Sequence, residues 1–190
     1  MAVEPGGGDF DSEELLALAR LALERKDVEG ALSKLKKILG AGSLSAEAIS
    51  LGARIYAQMG LFGRAEKFYE QFLAKNPRAV AERFLLGMTR LDAGRPGDAL
   101  EVWSALLKEH PGYPPAMFYK SLALAQTGKT GEARTGLDLL LKSIPAGNPY
   151  FGHAKELLQA IESGAAAVQA AGTSGATPAA PPADRYRATR

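Results

Sequence analysis

The chain is predicted to be all-α, a tandem array of antiparallel helix pairs, and three observations predict it. First, a motif recurs every 34 residues. It reads GLFGRAEKFYEQFLAKNP from Gly60, GRPGDALEVWSALLKEHP from Gly94 and GKTGEARTGLDLLLKSIP from Gly128, with KDVEGALSKLKKILGAGS from Lys26 as a looser first copy. Second, the large apolar residues of each copy fall at helical spacing, and no segment alternates as a strand does. Third, punctuation repeats with the motif. Gly60, Gly94 and Gly128 sit where a pair must turn, and Pro77, Pro111 and Pro145 sit where its second helix must stop.

In chain order, residues 1–11 are expected to be a flexible lead, and the glycines at 6–8 are read as part of it. Asp11 or Ser12 supplies an N-cap, with Glu13 and Glu14 favourably placed in the first turn. Leu15, Leu16, Leu18 and Leu23 form the apolar surface of that helix, and Asp27 caps the next, from about Val28 to Leu39. A second pair opens after Ser43 or Ser45 and carries Ile49, Ala53, Ile55 and Tyr56, then Phe62, Ala65, Phe68, Tyr69, Phe72 and Leu73. In the third pair Pro96 stands in a first helical turn, where its missing N–H costs nothing, ahead of Ala99, Leu100, Trp103, Leu106 and Leu107. The fourth begins at Pro114 and Pro115. A ninth helix is expected over 149–163, with Ala154, Leu157, Leu158 and Ile161 on one face. Residues 164–190 are rich in Ala, Gly, Thr and Pro, and too poor in large apolar residues to join a core; they are expected to be disordered.

Four columns run down the repeats. Ala31, Ala65, Ala99 and Ala133 form one, and Ala19, Ala53, Gly87 and Ser121 another. Helices approach to about 8–10 Å only over small residues, so these columns mark the contact inside each pair. Leu35, Tyr69, Trp103 and Leu137, with Leu39, Leu73, Leu107 and Leu141, are the bulky residues that fill the space between pairs.

These residues resemble the tetratricopeptide repeat family: the 34-residue period, the small residues at two columns, the aromatic or leucine on the second helix and the closing proline. Four repeats are read at about 12–45, 46–79, 80–113 and 114–147. The first departs at Lys26, where the others have glycine, and at Ser43, where they have proline. Arg83, Arg90, Gly52 and Lys120 fall where the family keeps larger apolar or aromatic residues. The resemblance implies a right-handed superhelix whose first helices line a concave groove for a peptide or helix of another protein, with the ninth helix as the end cap such stacks need.

Bulk composition restricts the function. The formal charge of +2 gives no strong pull towards nucleic acid or acidic membrane, and the absence of cysteine removes thiol nucleophiles, thiolate metal sites and disulfides. The acidic, glycine-rich N-terminus lacks the basic start and apolar run of a secretory signal, and no run approaches the roughly 18 apolar residues of a membrane span. The sequence thus reads as cytoplasmic. His110 and His153 stand apart without metal-ligand spacing, and no phosphate-binding glycine loop or G-x-S-x-G serine is present. Lys34, Lys36 and Lys37 read as a solvated helix side, and Arg185, Arg187 and Arg190 share a tail with Tyr186. Neither catalysis nor a cofactor is expected.

If the resemblance holds, the groove columns are Leu16, Arg20 and Leu23; Glu47, Ser50, Arg54 and Gln58; Phe84, Met88 and Leu91 with Asp92 at the edge; and Phe118, Leu122 and Gln126. The places where one group of the family grips a terminal carboxylate hold Leu16, Arg20, Leu51, Ala81 and Leu85, so that clamp is absent. Phe84, Met88, Leu91, Phe118 and Leu122 instead make an apolar patch flanked by Arg20 and Arg54. It serves either to dock an amphipathic helix or apolar peptide, or to be covered by tighter curvature, the ninth helix or a twin subunit in a homodimer. The function expected is a scaffold or adaptor. The alternative is a dedicated secretion or assembly chaperone, since small type III secretion proteins of the family are similar in size. In addition, ALEVWSALLKEHP with SIPAGNPYFGHAKELLQAI looks like the peptide-binding module of a cytochrome c maturation factor.

Overall fold

Helix termini repeat with the sequence motif, and they set the frame of the protein. The structure is a computed structural model that describes residues 11–42 and 45–164. The lead over residues 1–10, residues 43 and 44, and the tail over residues 165–190, with its arginines and Tyr186, lie outside the described residues. Among the described residues the elements are α1 (Ser12–Glu24), α2 (Val28–Gly40), α3 (Ala46–Gln58), α4 (Phe62–Lys75), α5 (Val80–Asp92), α6 (Pro96–Glu109), α7 (Pro114–Gln126), α8 (Thr130–Ser143) and α9 (Pro149–Glu162). There is no strand among them, so the all-α class is borne out. The chain divides into two compact units, Met1–Pro77 with α1–α4 and Arg78–Arg190 with α5–α9.

The starts of the helices follow local chemistry. Asp11 accepts from the backbone N–H of Glu13 and Glu14, and the Glu14 carboxylate accepts from the Asp11 N–H, a reciprocal capping box. Asp27, Ser45 and Asn148 cap α2, α3 and α9 through the N–H of Gly30, Ala48 and Tyr150. Prolines open α6, α7 and α9.

The turns inside the pairs are alike. Gly60, Gly94 and Gly128 take φ of 71°, 74° and 80°, and Lys26, at the matching position, takes 62°. At each, the residue's N–H donates to the carbonyl three back, and the next N–H donates to the carbonyl five back, as from Leu61 to Tyr56 and from Asp27 to Ala22. This double closure satisfies carbonyls that the helix end would leave bare, and it requires a left-handed residue. Glycine adopts that conformation freely. Lysine does so only against steric repulsion from its Cβ.

Packing inside each pair rests on the small columns. Ala19, Ala31, Ala53, Ala65, Ala99 and Ala133 are all fully buried. At Gly87 a Cβ would collide with the Trp103 indole, and at Gly52 one would lie 2.7 Å from the Phe68 ring. The bulky third column is buried too, Tyr69 in one unit and Trp103 in the other. Trp103 shows what that column does. Its ring lies 6.2 Å from Phe84 of its own pair and 6.1 Å from Tyr119 of the next, and its Nε1 donates to the Phe84 carbonyl at 3.2 Å.

In the second unit α7 is the central helix. Every residue from Pro114 to Ala125 except Lys120 is buried, as a helix in contact with α5, α6, α8 and α9 must be. Two departures from the family pattern gain a physical reason. Gly52 makes room for Phe68, and Arg83 reaches α6, where Nη1 and Nη2 donate to both carboxylate oxygens of Glu109 at 2.8 and 2.9 Å.

Lys26→Gly is expected to raise the unfolding free energy by about 0.5–1 kcal/mol, because relief of the left-handed strain exceeds the added freedom of the unfolded chain; urea unfolding measures it. The hydrogen bond from Arg83 holds the Glu109 carboxyl below its ordinary range. A folded value below the unfolded one gives stability that is present above about pH 4.3 and is lost as pH falls through the folded value. Unfolding curves between about pH 6 and pH 3 should therefore fall less steeply for Glu109→Gln than for the parent chain.

Candidate protein-binding face

In the first unit the expected groove residues lie on α1 and α3. Leu16 and Leu23 are buried and form its floor, while Arg20, Arg54, Glu47 and Gln58 are exposed. Arg20 Nη2 lies 3.1 Å from a Glu47 carboxylate oxygen, joining the first helices of successive pairs. Both side chains are about half open to water, so the pair contributes at most about 1 kcal/mol. Its consequence is a face of mixed charge above an apolar floor.

In the second unit the expected residues separate into two sets. Phe84, Phe118 and Leu122 are only 1%, 5% and 2% exposed. They are core side chains, so of the two readings of the apolar patch these three residues follow the one in which the chain covers them itself. Phe84 is enclosed by Trp103, Tyr113 and Tyr119, the last with ring centroids 5.5 Å away. Phe118 is covered by the ninth helix, with Tyr150 at 5.7 Å and His153 at 6.2 Å. Met88, Leu91 and Gln126, by contrast, are half-buried and remain accessible in part.

Asp92 completes this accessible set at the C-terminal end of α5. It follows Leu91 and lies one helical turn beyond Met88, so the three share one side of the helix. The residue is partly exposed, yet its surroundings strip enough water from its carboxyl to push it above the ordinary carboxylate range. No cation enters into that shift.

The 34-residue register also assigns counterparts of these positions to α9, which the sequence marks only as a cap. Glu156 and Gln159 stand 34 residues after Leu122 and Ala125, and both are exposed. The same offset, carried one step past the fourth pair, finds them. It also places Lys155 where the earlier first helices have Ala19, Ala53, Gly87 and Ser121. There its Nζ stands over the Phe151 ring at 5.5 Å.

The remaining singled-out residues have ordinary surroundings. His110 follows the last turn of α6, and His153 has Nδ1 3.7 Å from Glu156. Lys36 and Lys37 are exposed, and Lys34 donates to the Gly30 carbonyl. Among the described residues no group of three or more His, Asp or Glu side chains is placed to hold a metal ion. No helix among them is long and apolar enough to cross a membrane.

Residues 84–149 match the family model described as tetratricopeptide repeat. No curated protein matches the chain. Among solved structures, a thermophilic tetratricopeptide repeat protein of Thermus thermophilus is similar, with 19% identity and a TM-score of 0.65 over 85% of this chain and 86% of that one. MamA aligns with 22% identity and a TM-score of 0.63, over 70% of this chain and 78% of its own. YrrB, described as a tetratricopeptide repeat protein with an unusual peptide-binding site, aligns with 18% identity and a TM-score of 0.59, over 85% and 82%. At these identities the likeness is one of fold.

Because Phe118 is enclosed by aromatic rings, Phe118→Glu is expected to cost roughly 3–5 kcal/mol through a charge buried without a partner. Denaturant unfolding should show that loss. The half-open Met88→Glu should cost under about 1.5 kcal/mol in the same measurement.

Proposed function

This chain is a tetratricopeptide repeat protein, and from that premise we propose that it is a non-catalytic scaffold holding a peptide or amphipathic helix of another protein on the first-helix face of its second unit. The observation that carries the reading is the contrast within that face. Phe84, Phe118 and Leu122 are packed into a rigid floor, while Met88 and Leu91 above it keep part of their apolar surface open. A fixed floor with a few unsatisfied apolar side chains is what a docking partner can bury without first reorganising the protein. Methionine suits this place because its unbranched side chain adapts to the surface laid against it. The peptide-binding site named for YrrB, which shares the fold, supports the same use of this architecture.

The expected result is that proteins retained from a native extract by the immobilised chain are depleted at least tenfold on a folded Met88→Glu, Leu91→Glu double variant. They should be retained in full on Leu139→Glu, which places a charge at an exposed leucine of α8. Equal retention on all three proteins would exclude this face. Circular dichroism and unfolding curves must show the double variant folded, as partly open positions allow.

A further inference from the structure

At the first-helix positions that carry Met88, Leu91 and Asp92, and at their counterparts on α7 and α9, the charge is of one sign. Asp92 on α5 and Glu156 on α9 are the exposed ionised groups there, and Gln126 and Gln159 add neutral carboxamides. No lysine or arginine stands at Met88, Leu91 or Asp92, or at the positions 34 and 68 residues further on, on α7 and α9. The first unit differs, since its corresponding positions include the exposed Arg20 and Arg54. The second unit therefore presents apolar surface beside carboxylates, with no cation of its own at those positions.

Asp92 is the more telling of the two carboxylates. Glu156 has His153 3.7 Å away, whereas no hydrogen bond or ion pair among the described residues holds Asp92. Burial raises its proton affinity, and Met88 and Leu91, which share its side of α5, have no side-chain donor to offer it. A carboxylate left this way gains from a cation brought in from outside, in surroundings where the attraction is less screened than in open water.

We propose that the partner segment carries a lysine or arginine within about one helical turn of a large apolar side chain, the apolar group covering Met88 and Leu91 and the cation pairing with Asp92. This rests on the docking reading above and names the partner's chemistry. Complementary charge of this kind selects among apolar segments and sets their register, and it adds modest affinity to the apolar contact.

The test is selection from a random twelve-residue peptide library displayed on phage, with the full chain immobilised. Selected sequences should be enriched in Lys or Arg near Leu, Met or Phe. A synthetic peptide from the selection should bind Asp92→Asn about three- to tenfold more weakly than the parent chain, the range of a partly exposed charge pair. Replacing the peptide's basic residue by glutamine should cost a similar factor on the parent chain and little further on Asp92→Asn. Peptides that lose binding to the Met88→Glu, Leu91→Glu variant but show no basic enrichment, or bind Asp92→Asn undiminished, overturn the cation pairing and leave the docking reading standing. Peptides indifferent to the double variant, or recovery of no sequence above background, overturn both.

Discussion

The constraint on which the structure depends is the close approach of two helices inside each pair. Ala31, Ala65, Ala99 and Ala133 are buried to the last atom, and wherever the opposing helix loses its side chain something from the partner helix takes the space. The Phe68 ring lies on Gly52, the Trp103 indole on Gly87, and Ser121 meets Gly136 in the fourth pair with the small residue now on the second helix. The exchange conserves volume: what one helix gives up, the other supplies. Interiors are packed too densely for such a contact to tolerate an added methyl group without movement. The small columns therefore fix the distance within a pair, and the large residues beside them are free to bridge to the next pair. Trp103 does this between Phe84 and Tyr119.

Helix ends then fix the angle at which the chain returns. The same two backbone hydrogen bonds close the turn at Lys26, Gly60, Gly94 and Gly128, so the connection is set by backbone geometry and hardly by side chains. That explains why the first copy keeps the turn although it has lost the glycine. The two closing bonds and the packing of α1 on α2 outweigh a strain of roughly 1–2 kcal/mol. It also explains why this part of the fold is legible in the sequence. Gly, Pro, Asp and small-residue positions act locally, on the residues within a turn of themselves, and a local rule repeated at a fixed period needs no tertiary knowledge.

The accessible face is less legible, and Phe118 shows why. Its column holds a large apolar residue on a first helix, which is equally consistent with an open groove and with a filled one. The answer depends on where Tyr150 and His153 come to lie, and they belong to a helix about 30 residues away in sequence. Arg83 is the converse. It looks out of place in an apolar column because the column says nothing of Glu109 at the far end of the next helix, which receives both of its donors. Both cases concern pairs of residues, and a column holds information about single positions only.

This division between fixed and free positions bears on how such a chain acquires a specific partner. The contact columns scarcely vary, Ala at all four places in one and Ala, Ala, Gly and Ser in the other, because packing permits little else. The positions ending the first helices run Glu24, Gln58, Asp92 and Gln126, and those one turn earlier run Arg20, Arg54, Met88 and Leu122. Charge, polarity and size change there from one repeat to the next without a change in the helix that carries them. Leu122, however, is buried beneath its neighbours, so even in a variable column burial removes some positions from use. Recognition is left to the residues that are both free of the packing rule and still in reach of another molecule. In the second unit that intersection is small, and it is where a carboxylate without a partner among the described residues stands beside half-open apolar side chains.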